Sequence, residues 1–156
     1  MSRRRWLAAA TLLLVPLGLA ACSKDVAANS LEVGDCTDDD LDGATGDVDT
    51  VDCSEAHRFE VFATYDIDAD DGEDYPDEDE VESEAAEGCR GERFSEYVGV
   101  PYVESAIHVT YLVPTEDTWT GAGDRTIICF AFEPEDPGAD ELVPNTVEGS
   151  VEGADR

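Results

Sequence analysis

Positive charge is scarce in this chain. Nine lysines and arginines stand against 39 aspartates and glutamates in 156 residues. Three of the nine, Arg3, Arg4 and Arg5, precede an apolar run at the N-terminus. Beyond residue 21 six cations remain against 39 acids, a net charge of −33 with both histidines neutral. Such a surface repels phosphates and anionic headgroups, so neither nucleic acid nor an anionic lipid face is bound by charge attraction. Also missing is an apolar run long enough to cross a bilayer. The longest, residues 7–21, covers fifteen positions and contains Pro16, whereas a spanning helix needs about 20. No G-x-S-x-G, H-E-x-x-H or phosphate-cradling glycine loop occurs, and no internal repeat. These absences argue against an enzyme and leave no cofactor to expect. Carboxylate pairs suited to glycoside chemistry are too abundant for any one pair to be informative.

What the N-terminus does contain fits a secretory signal: a positive segment, then the apolar run. The run ends Leu19-Ala20-Ala21-Cys22, which resembles a bacterial lipobox. The expectation is a lipoprotein signal peptide over residues 1–21, with Cys22 lipidated (palmitate included) as the first residue of the processed chain. That places the protein at the cell membrane, lipid-anchored on its extracytoplasmic face. Ser2 to Leu7 also resembles a twin-arginine signal, and the export route stays open. Export into an oxidising compartment leaves four cysteines for disulfides, Cys36, Cys53, Cys89 and Cys129, with three pairings. Cys36–Cys53 closes a short loop between two expected strands, and Cys89–Cys129 staples a helix to a strand. The crossed pairings require an acidic loop to fold over the core.

Along the chain, residues 22–30 read as a small, polar tether and 31–152 as one domain followed by a short tail, 153–156. Strands are expected at 31–36 and 48–53. Residues 58–66 alternate, with Phe59, Val61, Ala63 and Tyr65 facing one way and Glu60, Phe62 and Thr64 the other. An acidic loop follows, and 79–98 predicts one helix carrying Val81, Ala85, Cys89, Phe94 and Tyr97, disturbed at Gly88 or Gly91. Strands return at 105–113, with Ile107, Val109 and Tyr111 on one face, and at 126–133. In the latter Ile128, Phe130 and Phe132 oppose Ile127, Cys129 and Ala131. Residues 146–151 predict an edge strand. The fold class is α+β: a small antiparallel-rich sheet with one main helix packed on a face, stapled by two disulfides.

Several side chains carry candidate chemistry. Asp38, Asp40, Asp42 and Asp49 fall at EF-hand loop positions one, three, five and twelve, with Gly43 at six. That motif needs flanking helices. Here cysteines and strand-like sequence bracket the stretch, so a diffuse cation-collecting loop is expected rather than a specific calcium site. His57 lies four residues after Cys53, a zinc-compatible spacing, but the thiol is committed and no Cys/His cluster follows. A structural imidazole bonded to backbone or to Glu55 is expected, and His108 reads as a half-buried sheet histidine. Trp119 sits between two strands in a glycine-containing loop, either capping the core or exposed to anchor a partner or a wall sugar. Arg125, nearby, is expected to form an internal ion pair. His57, Trp119 and Arg125 are the candidate partner-binding residues.

One family resemblance draws these segments together. Val33-Gly34-Asp35-Cys36 is followed by Val51-Asp52-Cys53-Ser54-Glu55-Ala56-His57-Arg58-Phe59. Cys89 precedes Phe94 and Tyr97-Val98-Gly99, and then come Tyr111-Leu112-Val113-Pro114-Thr115, Trp119, Gly123-Asp124-Arg125 and Cys129. In order and spacing this resembles the septum formation domain of actinobacterial membrane proteins and lipoproteins, over about residues 31–132. Ala56 departs from it, standing where the pattern has proline. The resemblance implies a role in division or envelope biology and no reaction. The expected function is a non-catalytic cell-envelope lipoprotein that contacts an envelope or division protein. The alternative is a surface lipoprotein binding a ligand or divalent cations.

Overall fold

The structure is a computed structural model, and it describes residues 24–41, 46–70 and 72–156. Six strands form one sheet: β1 (Lys24–Ala27), β2 (Cys36–Thr37), β3 (Asp47–Val51), β4 (Phe59–Asp66), β5 (His108–Leu112) and β6 (Thr126–Phe132). Their order is β1-β3-β2-β4-β6-β5, and every neighbouring pair is antiparallel. The helices are α1 (Glu78–Arg90), α2 (Glu92–Val98) and the short α3 (Glu116–Ala122). The α+β expectation holds, with one bent main helix and both disulfides as paired above. Cys36–Cys53 spans 5.3 Å between Cα atoms and Cys89–Cys129 spans 5.5 Å, ordinary disulfide separations.

The main helix begins where acids suit it. Asp77 caps α1 by accepting from the Asp79 N–H, and Glu78, Asp79 and Glu80 fill its first turn, where they offset the helix dipole. Arg90 occupies the last turn for the same reason. Val81, Ala85 and Cys89, each four residues apart, form its buried stripe. The bend falls at Gly91, after which α2 buries Phe94 and Val98 and ends at Gly99, whose φ of 101° is left-handed. Gly88 has a different job. Any side chain there would collide with the ring of Tyr65, which lies across α1 and donates to the Glu84 carbonyl at 3.1 Å.

The sheet separates two apolar clusters. On one face α1, α2 and α3 enclose Phe62, Val81, Ala85, Phe94, Val98, Val109 and Trp119 with Ile127, Cys129 and Ala131 of β6. On the other face Phe59, Val61, Ile128, Phe130 and Phe132 pack beneath Leu31 and Leu41, with Leu142 half-buried against them. The expected alternation of β6 is therefore observed, as is the shared face of Ile107, Val109 and Tyr111. The sheet curls over its loop-covered face. Ala27 and Ala28 from one end of the strand order line the same cavity as Leu112 and Val113 from the other.

Five local expectations differ from the structure. The alternation of β4 breaks at a bulge between Val61 and Ala63. One extra residue reverses the facing, so Phe59 and Val61 lie in the loop-covered cluster while Ala63 and Tyr65 join the helix side. The strand expected at 31–36 is mostly a turn, because Gly34 adopts φ 94° and the Asp35 N–H bonds back to the Glu32 carbonyl. The segment expected as a tether holds β1, which pairs with β3 from Lys24↔Thr50 to Ala27↔Asp47. Residues 146–151 form no edge strand but an isolated bridge, His57↔Val147, followed by a turn at Gly149. Finally, the last residues are not a loose tail. Gly153 and Asp155 donate from their N–H groups to the carbonyls of Tyr97 and Val98, and Val151 is buried.

Candidate functional site

Cys22 and the signal segment, residues 1–21, lie outside the described residues, as does Asp42. The rest of the acidic loop is bracketed by β2 and β3, so the helix–loop–helix frame of a calcium hand is absent from it. Its carboxylates have local partners. Asp38 pairs with the Arg58 guanidinium at 3.0 Å, and Asp39 accepts from the Asp49 N–H at 2.7 Å. Asp40 and Asp49 also interact with neighbouring groups.

His57 is 1% exposed, and its Nδ1 lies 2.8 Å from the Glu55 carbonyl. Its main chain exchanges two hydrogen bonds with Val147. The ring is thus a structural group at the entry to β4, as expected, and is not presented to a partner. His108 is half-buried on the edge strand β5, beside Tyr102 and Phe132. Trp119 is 2% exposed. It lies on α3, not on a loop. Thr115 caps this helix in a reciprocal arrangement with Thr118, and Gly123 closes it at φ 68°. The indole N–H donates to the Glu73 carbonyl at 2.8 Å, with the Tyr75 ring edge-on at 5.6 Å. Trp119 is therefore a core cap and is not available as an exposed anchor.

Arg125 departs from its expected ion pair. Its guanidinium stacks on Trp119 at 3.5 Å from the ring centroid and donates to the carbonyls of Trp119 and Asp124. The planar cation is held by a π-face and carbonyl oxygens rather than by a carboxylate. Three more arginines also lie over aromatic rings. Arg93 stands over Tyr65 at 3.9 Å, Arg90 over Tyr102 and Arg58 over Phe59, each at 5.5 Å. Arg156 pairs with Glu133. Each of these arginines is thus engaged with a ring, a carbonyl or a carboxylate of the same chain.

One buried acid was not singled out by sequence reasoning. Glu60 is 1% exposed, between β4 and the C-terminal segment. It accepts from the Tyr97 hydroxyl at 2.6 Å, from the Ser150 hydroxyl, and from the Val151 N–H at 2.7 Å. A buried carboxylate needs such donors. Burial pushes the Tyr97 phenol well above its ordinary range, and its hydrogen bond to Glu60 adds to the shift. Glu60 also lies within 4.8 Å of the Cys36 and Cys53 sulfurs. Those sulfurs are bonded to each other, so the trio is not a metal site. The only sequence signal is an acid within the apolar first half of β4, between Phe59 and Val61. Among other titrating groups, the Ser54 hydroxyl and then its N–H hold the Asp52 carboxyl below its usual value. Burial raises Tyr65 and Tyr75.

Three concavities could take a partner. A cavity of about 220 Å³ lies where the sheet ends approach, lined by Ala28, Leu112, Thr115, Thr118 and Thr126 among others. A groove of about 300 Å³ runs beside Leu41, Arg58 and Leu142. A third, of about 320 Å³, lies between β4 and α2, lined by Val33, Phe62, Ala63, Thr64, Arg93, Glu96 and Tyr97. Among the described residues no helix is long and apolar enough to cross a membrane.

No curated protein and no solved structure matches this chain. A family match does exist, over residues 33–156, described as septum formation. It reaches past the resemblance noted above to include the C-terminal segment that Glu60 binds. The chain belongs to the septum formation family.

Proposed function

We propose that the protein is a non-catalytic, lipid-anchored module of the cell envelope that contacts a division or wall-assembly protein. The family match over 33–156 carries this reading. The lipobox-like Leu19-Ala20-Ala21-Cys22 supports the anchor. The start of β1 at Lys24 adds a geometric consequence: one residue separates Cys22 from the sheet, so the lipid would hold the domain close to the bilayer. The excess of 39 acids over six cations beyond residue 21 gives the domain a strongly anionic surface, suited to selecting a cationic partner and steering its approach. Cross-linking in intact cells, followed by pull-down, should recover a septal or wall-assembly protein, and Cys22→Ala should release the chain from membranes or leave the precursor unprocessed. Normal processing and detergent-phase partitioning of Cys22→Ala would refute the anchor. Uniform distribution of the tagged protein, with no septal enrichment, would refute the division role.

A second reading, a ligand-binding surface lipoprotein, is favoured by the 220 Å³ cavity and its threonine-rich lining. A saturable, stoichiometric small ligand in calorimetry, lost on filling the cavity with Thr118→Trp, would select it.

A further inference from the structure

The bulge in β4 has a second effect besides reversing its faces. β2 pairs only with Phe59 and Glu60, and the turn before it reaches Val61 through the Gly34 N–H and the Asp35 carbonyl. Beyond Val61, β4 continues to Asp66 with β6 on one side only. The parity of that ladder is set by the Ile67 N–H, which bonds to the Arg125 carbonyl at 2.9 Å. Residues 63, 65 and 67 thus turn their main-chain groups toward β6, and Thr64 and Asp66 turn theirs away. No strand lies on that outer side among the described residues.

This half-edge is not a bare rim. It borders the 320 Å³ groove against α2, with Phe62 and Tyr97 in its wall and Val33 at its margin. Val33 is 52% exposed, one of only three large apolar side chains so exposed among the described residues. Arg93, stacked on Tyr65, stiffens the α2 side. An unpaired strand edge beside a helix is the geometry by which extended peptides add as a further strand, with main-chain bonds for affinity and alternate side chains in the groove for specificity. Folded proteins usually hide or blunt such edges.

We propose that the groove between the outer edge of β4 and α2 binds an extended, basic segment of a partner protein by strand addition. Thr64 and Asp66 supply the main-chain pairing, Phe62, Tyr97 and Val33 receive an apolar side chain, and Glu96 faces a cation. Charge selects a basic occupant. The chain carries −33 beyond residue 21, which outweighs Arg93, the one cation in the lining of this groove.

The inference rests on the interaction reading above, yet the two can fail separately. A septal partner whose cross-links map away from β4 and α2 would overturn the groove and spare that reading. Peptide binding at β4 without septal enrichment would do the reverse. The direct test selects short random displayed peptides against the purified chain and measures the winners by fluorescence anisotropy. The expected winners alternate apolar and basic residues, and binding protects the Thr64 amide from hydrogen exchange. N-methylating alternate peptide nitrogens along one edge should weaken binding at least about tenfold. Thr64→Pro should do the same, and an edge proline whose nitrogen faces solvent is tolerated by a sheet. If Thr64→Pro misfolds, the methylated peptide decides, since it leaves the protein untouched. Equal affinity for methylated and unmethylated peptides, or no enriched peptide, would overturn the proposal.

Discussion

The two faces of the sheet share β4 and β6 but are closed in different ways. On the helix side α1, α2 and α3 lie over the strands, Cys89–Cys129 ties α1 to β6, and the indole of Trp119 has a fixed carbonyl partner. On the other side no α-helix packs among the described residues. Leu31, Leu41 and Leu142 reach in from turns and acidic segments. Helices satisfy their own backbone groups and present continuous apolar stripes, so the first face is rigid. Loops cover the second face through a few leucines, and it should adjust when disturbed.

Matched truncations should expose that difference most. Phe94 and Phe130 are both fully buried, one on each side. Phe94→Ala should cost about 4–5 kcal/mol and Phe130→Ala about 3 kcal/mol, because loops relax into a cavity better than a stapled helix can. Urea denaturation of both variants checks this, and equal losses would erase the distinction.

The disulfides give the next contrast. Their sequence separations are 40 for Cys89–Cys129 and 17 for Cys36–Cys53. Loop-closure entropy then predicts losses of about 4 and about 3 kcal/mol when each pair is replaced by alanines. Denaturation curves of the two double variants measure both.

Glu60 should come third. Glu60→Ala strands the Tyr97 and Ser150 hydroxyls and the Val151 N–H, and should cost about 2–3 kcal/mol. Amide exchange should accelerate at Val151, Gly153 and Asp155 while the loop-covered face stays protected. Tyr97 adds a pH signature. Its folded phenol titrates above the ordinary 10.0, so its contribution is complete below that value. It is lost as pH rises further, because the unfolded chain releases its proton first. Stability of the wild type should therefore fall more steeply above pH 10 than that of Tyr97→Phe.

The smallest effect belongs to the acidic loop. Asp38→Asn removes an exposed pair with Arg58 and should change stability by no more than about 1 kcal/mol. Sodium chloride should raise the melting temperature smoothly by screening like charges. Calcium should do no more than magnesium at equal concentration. Micromolar calcium affinity abolished by Asp38→Asn with Asp42→Asn would instead make the loop a specific site.

Local sequence determined what short-range chemistry can carry. The faces of β6 and β5 follow from strict alternation, α1 from its four-residue apolar spacing and acidic start, and the disulfide partners from the elements flanking each cysteine. The imidazole of His57 could be assigned a structural role because its binding partner, the Glu55 carbonyl, is two residues away. Tertiary structure decided the rest, because each remaining feature joins distant residues. The β4 bulge exists only relative to β6, and it turns a regular alternation into two opposed halves with a free outer edge. Trp119 is buried because Glu73 and Tyr75, more than forty positions earlier, meet it on α3. Glu60 becomes a clasp only when residues 150 and 151, about ninety positions later, return to it. In a chain with 39 acids, composition does not distinguish Glu60, the one carboxylate buried among the described residues. Only the convergence of three donors on it makes that burial affordable.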